Sequence, residues 1–233
     1  WKSMPIQRIA ILTFLLSPVY ILFVFGGFVY APAAHGGIFM NGVLPAFTLL
    51  IGWYWLSEKV SIGQMVGVVV IIVGASLAVA DESNLSLSDS WIGDLMFVIA
   101  AIFFSAYLVV SRLWKIKTLQ ILMCSSVINA IIFVPIWYLF LPSGIAQASE
   151  SQLLTQIFYQ GLIPNLIGLL LVATAVRHVG PAATAAFMAA VPGLGTILSL
   201  MFLGEEPGLL GWISLMILTP GIVMVAMIRK DKA

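Results

Sequence analysis

Apolar segments about twenty residues long follow one another along almost the whole sequence, separated by short polar breaks. A helix needs about twenty residues to cross a hydrocarbon core of roughly 30 Å. Because backbone groups in lipid must hydrogen-bond within the protein, successive segments of this kind indicate helices. The sequence therefore predicts an all-α fold, a polytopic bundle of helices in a lipid bilayer.

Windows of about nineteen residues predict eight membrane spans. They cover residues 9–31, 34–57, 62–80, 91–112, 118–141, 153–176, 181–204 and 208–228. With eight crossings, both ends of the chain and all 10 Lys and Arg residues fall on one face. Positive residues accumulate in cytoplasmic loops, so this face is predicted to be the cytoplasmic one.

Charged residues make up 8% of the chain and form no basic cluster, which argues against a nucleic-acid partner. The single cysteine, Cys124, excludes an internal disulfide. Two histidines and the lack of HExxH and GxSxG motifs argue against an enzyme. We therefore expect no catalytic residues, no metal and no cofactor. Neither a filter segment nor a ring of charge, the usual features of a channel, is visible.

Two segments share one pattern, a proline followed by an apolar run and a carboxylate: LPAFTLLIGWYWLSEK (44–59) and VPGLGTILSLMFLGEE (191–206). An offset of 147 residues takes Pro45 to Pro192, Glu58 to Glu205 and Gly74 to Gly221. The predicted spans place the two glutamates on opposite faces, so the copies are predicted to be inverted. Inverted repeats are typical of secondary transporters that alternate access to a central site.

The inverted arrangement requires an odd number of spans per repeat, and five fit. We expect residues 1–80 to hold the last three helices of a first repeat and residues 81–233 to hold a complete second one. Ten helices are then expected in all, and the sequence, which begins at Trp1, should lack the first two. Without them the chain is expected not to transport.

Three stretches resemble the EamA-type permeases of the drug/metabolite transporter superfamily. They are YAPAAHGGIFMNGVLPAFTLLIGWYWLSEKVSIGQMVGVVVIIVGASL (30–77), GDLMFVIAAIFFSAYLVVSRLW (93–114), and residues 158–225, which contain RHVGPAATAAFMAAVPGLG. The resemblance implies inverted five-helix repeats, ten helices in all, and a small-molecule substrate. It also implies a multi-pass location in a bacterial inner membrane and transport, usually outward, of metabolites such as amino acids or xenobiotics. A monomer or homodimer is expected.

Polar side chains within predicted spans are candidates for the substrate path because they are costly in lipid. Those selected are Asn41, Tyr30, Tyr107, Asn129, Gln160, Asn165 and Thr174. Hydrogen bonding between helices is an equally good role for the asparagines. Packing or anchoring at the membrane interface is the simpler role for the tyrosines.

Pro45, Pro192, Glu58 and Glu205 are candidates for gating or for contacts at helix ends. A bend that serves only packing is the alternative for the prolines, and direct binding of substrate is the alternative for the glutamates. A proline within a span removes a backbone hydrogen bond and can kink the helix. A carboxylate at a helix C-terminus faces an unfavourable dipole and requires a donor. The expected donor is the N-terminus of the next helix, which starts a few residues later.

Proton coupling commonly uses a buried carboxylate or histidine, and the candidates are His35, Asp94 and His178, all near predicted span ends. Three alternatives remain: uncoupled transport, coupling through these groups, or a relay in the absent helices. We favour facilitated exchange or weakly coupled export of neutral or zwitterionic solutes. A nucleotide-sugar or sugar-phosphate carrier is the alternative, although no Lys or Arg lies at mid-span to meet phosphate. A channel-like or structural membrane protein is the alternative from another class.

Overall fold

The computed structural model describes residues 5–81, 90–116, 118–140, 144–179, 184 and 187–227. In these ranges all regular elements are helices, which confirms the all-α prediction. The α-helices are α1 Ile6–Leu15, α2 Pro18–Tyr30, α3 Ala33–Gly36, α4 Leu44–Leu56, α5 Ile62–Val79, α6 Ser90–Leu113, α7 Thr118–Phe140, α8 Glu150–Leu162, α9 Leu169–Val179, α10 Val191–Leu203 and α11 Leu209–Met227. Two π-helices, Gly37–Gly42 and Ile163–Gly168, join α3 to α4 and α8 to α9, and a 3₁₀ turn covers Ile145–Gln147.

Membrane-length helices occur at five of the eight predicted spans in the part of the chain that the structure describes. Five stretches of the described chain are long and apolar enough to cross a bilayer: Ile6–Tyr30, Ala33–Leu56, Ile62–Val79, Ser90–Leu113 and Leu209–Ala226. Ser125–Phe140 and Val191–Leu203 are shorter apolar helices. The chain is therefore a multi-pass helical membrane protein.

The first predicted span, 9–31, is broken near its middle, which the apolar pattern did not indicate. The α1 helix ends at Leu15, and Pro18, which has no N–H group, begins α2. Asn129 on α7 donates Nδ2 hydrogen bonds of 3.2 Å to the carbonyl oxygens of Thr13 and Leu16. These are carbonyls that the break leaves without helical partners, so Asn129 stabilises the interruption.

The two copies of the repeat agree in helix boundaries as well as in sequence. Moving α4 by 147 residues gives the start and end of α10. Both helices end in a left-handed residue, Ser57 at φ 52° and Gly204 at φ 68°. Both prolines lie in the first turn of their helix, where proline is well tolerated. They mark the starts of α4 and α10, and their role in gating stays a prediction.

The α5 and α11 helices pack along each other through glycines that correspond between the copies. A Cβ atom added at Gly74 would lie 3.0 Å from the backbone nitrogen of Leu218. One added at Gly221 would lie 3.0 Å from the backbone nitrogen of Ile71. Ile71 and Leu218 are themselves 147 residues apart. The two contacts are therefore equivalent, as a pseudo-two-fold interface requires. The glycines allow the two backbones to approach closely.

Candidate functional site

A cavity of 380 Å³ lies at the end of the bundle that carries Glu58, called here the Glu58 end. This volume is within the range of about 300–1,000 Å³ typical of small-molecule sites. The polar side chains that line it are Asn41, Thr48, Glu58, Gln64 and Arg112. The apolar part of the lining is Leu44, Pro45, Leu49, Leu108, Met188, Val191, Ile222, Val225 and Ala226. The composition is that of a ligand site, mostly apolar with a few placed polar groups.

Asn41 is exposed to this cavity from the π-helix Gly37–Gly42. The π-helix itself packs closely on α10, since a Cβ atom at Gly37 would lie 3.3 Å from the Cα atom of Pro192. Single-turn π-helices inside α-helices are frequent at functional sites. Asn41 therefore presents an amide to the cavity from an irregular turn that lies against the second repeat.

Glu58 forms an ion pair with Arg112 of α6, with Oε1 and Nη1 3.2 Å apart. Both side chains line the cavity and are 38% and 40% exposed. Gly52 provides the space, because a Cβ atom there would lie 3.1 Å from Glu58 Oε2. Arg112 is the ion-pair partner described for Glu58, and the donor expected from the next helix stays a prediction. The α5 N-terminus is satisfied by its own capping box, Ser61 with Gln64.

Two further polar groups of the cavity wall are tied to backbone. Thr48 donates to Ser105 Oγ at 3.2 Å, and Ser105 in turn donates to the Leu44 carbonyl oxygen at 3.2 Å. Gln64 donates from Nε2 to the Val225 carbonyl oxygen at 3.3 Å. These bonds join α4 to α6 and α5 to α11, so they hold the walls of the cavity in place.

The opposite end of the bundle, called the Glu205 end, has the second carboxylate. Glu205 Oε2 accepts a 2.9 Å hydrogen bond from the backbone N–H of Ala33 and another from Ser199 Oγ. Ala33 is the first residue of α3, so the donor is a helix N-terminus, which favours an anion. The expectation that α11 supplies it is wrong, because Gly211 in the first turn of α11 donates to Asp81 at 2.8 Å.

A buried pair of titratable groups lies beside this contact. His35 Nδ1 of α3 is 2.7 Å from Asp94 Oδ1 of α6, and the side chains are 14% and 7% exposed. Three carboxylates at this end join the first part of the chain, up to residue 81, to the part from residue 90 onward. Their contacts are Ala33 with Glu205, His35 with Asp94, and Asp81 with Gly211. The pocket that His35, Asp81 and Glu205 line has a volume of 30 Å³. It has room for about one water molecule, so the described residues leave little space at the Glu205 end.

The other candidates lie away from these two ends. Tyr30 is exposed at the end of α2, and Tyr107 is buried against Leu12 and Val110 between α1 and α6. Gln160 is half-buried on α8, and Thr174 is exposed on α9. His178 donates from Nδ1 to the Thr174 carbonyl oxygen of its own helix, at 2.9 Å. The side chain of Asn165 lies outside the described residues, and Asn129 stabilises the α1–α2 break.

Arg112 is the cavity residue that sequence reasoning missed. The sequence pattern identifies Arg112 only as a positive charge of the cytoplasmic face. The residue lies within α6, one residue before the helix ends. A cation inside a membrane-length helix is costly and is normally paired. This position was the signal that could have identified it. Among the described residues, no cluster of three or more His, Cys, Asp or Glu side chains could hold a metal ion.

Comparison with known proteins gives one assignment for nearly the whole chain. The model of the EamA-like transporter family matches residues 1–80 and 91–227. These ranges include both copies of the repeat and, except for Asp81, the residues named at both ends. No match was found among curated proteins.

Proposed function

Because the chain belongs to the EamA-like transporter family, we propose that it exports small neutral or zwitterionic solutes, such as amino acids or xenobiotics, by alternating access. The observation that supports this is the contrast between the two ends. A 380 Å³ cavity occupies the Glu58 end, whereas the Glu205 end is reduced to 30 Å³ and tied by three carboxylates. A site reached from one side while the other side is closed is the arrangement that alternating access requires.

The same contrast indicates which contacts change during transport. Opening the Glu205 end breaks the contacts of Glu205 with Ala33 and of His35 with Asp94. The interface of α5 with α11 has equivalent contacts from both copies, so it can serve as the axis about which the repeats move. With the cytoplasm assigned to the Glu58 end by its positive residues, the described state faces inward in a bacterial inner membrane.

The charge of the cavity favours a neutral or zwitterionic solute over a phosphate ester. Among the described residues that line it, one carboxylate, Glu58, faces one guanidinium, Arg112. Phosphate recognition requires an excess of cationic donors. The nucleotide-sugar and sugar-phosphate alternative therefore has little support from this cavity.

Facilitated exchange remains our proposal for the energetics of transport. The His35–Asp94 pair lies at the closed end, where it joins α3 to α6, and not in the wall of the open cavity. His178 bonds only within its own helix in the described contacts. The pair is thus placed to hold the closed end together.

The test is counterflow in proteoliposomes that contain the full-length protein. Vesicles loaded with a panel of unlabelled amino acids are assayed for accumulation of the same labelled solute, with and without a proton gradient. We expect accumulation without a gradient for at least one zwitterionic solute. An absolute requirement for the gradient would contradict facilitated exchange, and accumulation of sugar phosphates alone would contradict the substrate class.

A further inference from the structure

The Glu58–Arg112 pair is more than a helix-end contact. We propose that it selects ligands that have both an ammonium and a carboxylate group, with the carboxylate bound by Arg112 and the ammonium by Glu58. This inference rests on the proposed function, because it assigns the charge requirement of the cavity. It identifies a pair of specificity-determining residues at positions 58 and 112.

The geometry places both charges where a ligand can reach them. Both side chains line the cavity and keep about two fifths of their surface exposed, at 38% and 40%. The guanidinium has five N–H donors in a planar fork, and its contact with Glu58 is through Nη1. Arg112 therefore has N–H groups left for a second carboxylate, which guanidinium binds well in a two-bond geometry.

The surroundings of Glu205, which is equivalent to Glu58 in the other copy, disfavour a purely structural role for Arg112. Glu205 follows its helix in the same way as Glu58, yet the donors described for it are neutral, the Ala33 N–H and the Ser199 hydroxyl. The fold thus satisfies this carboxylate without an arginine. A pair as exposed as Glu58–Arg112 also adds little to stability. Among the described contacts, Glu58 has a cationic partner and Glu205 has neutral ones.

The rest of the cavity indicates the remainder of the ligand. The described lining beyond the polar groups is aliphatic or proline, with Met188 as the one thioether. Such a wall accommodates an aliphatic chain, and the Asn41 amide lies in the same cavity. A small zwitterion with an aliphatic chain matches the cavity in charge, in polarity and in size.

Three probes with the same carbon chain separate the two charges. They are leucine, which has both charges, 3-methylbutylamine, which has only the ammonium, and 4-methylpentanoate, which has only the carboxylate. Binding is measured as thermal stabilisation of the full-length protein in detergent, so that transport is not needed for the readout. We expect the wild type to bind leucine about tenfold or more tightly than either single-charge probe.

Two neutralising variants then give opposite shifts. Arg112→Gln leaves Glu58 and should weaken leucine about ten- to a hundredfold while improving 3-methylbutylamine. Glu58→Gln should weaken leucine similarly while improving 4-methylpentanoate. The swap Glu58→Arg with Arg112→Glu restores the ion pair but reverses its direction. Its thermal stability should stay close to that of the wild type, and leucine binding should not be restored.

The outcomes separate this inference from the proposed function. Equal losses for all three probes in both variants, or leucine binding unchanged by either, would overturn the inference. Recovery of leucine binding in the swap would also overturn it, because it would show that only the pairing matters. Counterflow of a solute without two charges would leave the transporter proposal standing. Leucine binding with the expected shifts but no counterflow would overturn only the transport mechanism.

Discussion

Glu58 and Glu205 occupy the same position in two copies of one unit, but their surroundings differ. The residue six positions before each glutamate faces its carboxylate. This residue is Gly52 for Glu58 and Ser199 for Glu205. At the Glu58 end, a glycine leaves space for Arg112 beside an open cavity. At the Glu205 end, the serine and a helix N-terminus satisfy the carboxylate, and the space is closed.

The difference shows that two copies of one unit can satisfy the same carboxylate in different ways. Neutral donors satisfy the half-buried Glu205 carboxylate without bringing in a second charge, which would be costly to desolvate. An ion pair that stays half-exposed keeps its charges available to water and ligand. The two ends are thus equivalent in backbone but not in the chemistry that closes them, and this comparison can be tested by disturbing one end at a time.

The largest effect is expected from Glu205→Ala. It removes the acceptor for the Ala33 N–H and the Ser199 hydroxyl, and each bond to a charged group contributes about 1.5–3 kcal/mol. In a background with Cys124 replaced by alanine, a cysteine at Thr196, which is buried in the 30 Å³ pocket, reports opening. Maleimide labelling of this cysteine should rise at least about tenfold.

Glu58→Ala is the matched control for that change. It alters the equivalent carboxylate at the opposite end, so labelling at position 196 should stay close to that of the background. Equal labelling in the two variants would show that the Glu205 contacts do not hold that end closed.

The next effect tests whether the copies share one axis. Gly74→Ala and Gly221→Ala each place a methyl group about 3.0 Å from backbone of the partner helix. Overpacking of this kind costs about 1–3 kcal/mol, and the two variants should lower thermal stability by similar amounts. At Gly161, where a Cβ atom would meet no neighbour within 4 Å, alanine should cause no such loss. A loss in only one of the two interface variants would break the two-fold relation.

Asn41 provides a smaller contrast between the copies. In the sequence, FMN (39–41) matches FMA (187–189) at an offset of 148 residues, one more than the offset between the two prolines. Ala189 then takes the place of Asn41, and it is 1% exposed. Asn41→Ala removes the amide from the cavity and should raise the KM of counterflow about fivefold, the equivalent of about 1 kcal/mol. Thermal stability should change little because the side chain is exposed. An unchanged KM would remove Asn41 from the substrate path.

The smallest effect is expected from making the ends alike. Ser199→Ala removes one donor to Glu205 and should raise labelling at position 196 a few fold, since one hydrogen bond contributes about 1 kcal/mol. Gly52→Ser brings the second copy's residue beside Glu58, where the space between its Cβ position and Oε2 is 3.1 Å. It should weaken leucine binding by displacing the Glu58–Arg112 pair. A Ser199→Ala variant that labels like the background would show that the Ser199 hydrogen bond does not contribute to the closure.

Much of the fold could be predicted because the repeat and the apolar periodicity are local in sequence. The offset between Pro45 and Pro192 anticipates the boundaries of α4 and α10, and Glu58 and Glu205 belong to different ends, as expected. Asn41 and Pro45 do line the open cavity. These assignments required only spacing, hydropathy and the cost of polar groups in lipid.

The remaining features depend on contacts between distant residues. The α1–α2 break is held by Asn129, which is 116 residues from Thr13, and the Glu205 donor is 172 residues away. A single offset also misses part of the repeat, because PAA begins at Pro32 and at Pro181, which are 149 residues apart. The first copy has two more residues before its second proline, in the region of the π-helix Gly37–Gly42.

The most direct test follows both ends in one protein. Cysteines at Thr48, in the open cavity, and at Thr196 are labelled separately with a membrane-impermeant maleimide, from each side of oriented vesicles, with Glu205 intact and with Glu205→Ala. We predict that the cysteine at position 48 reacts from one side of the membrane only and the cysteine at position 196 from the other side. Glu205→Ala should raise labelling at position 196 and lower it at position 48. Labelling of both from the same side, or a rise at both, would contradict inverted repeats that alternate access.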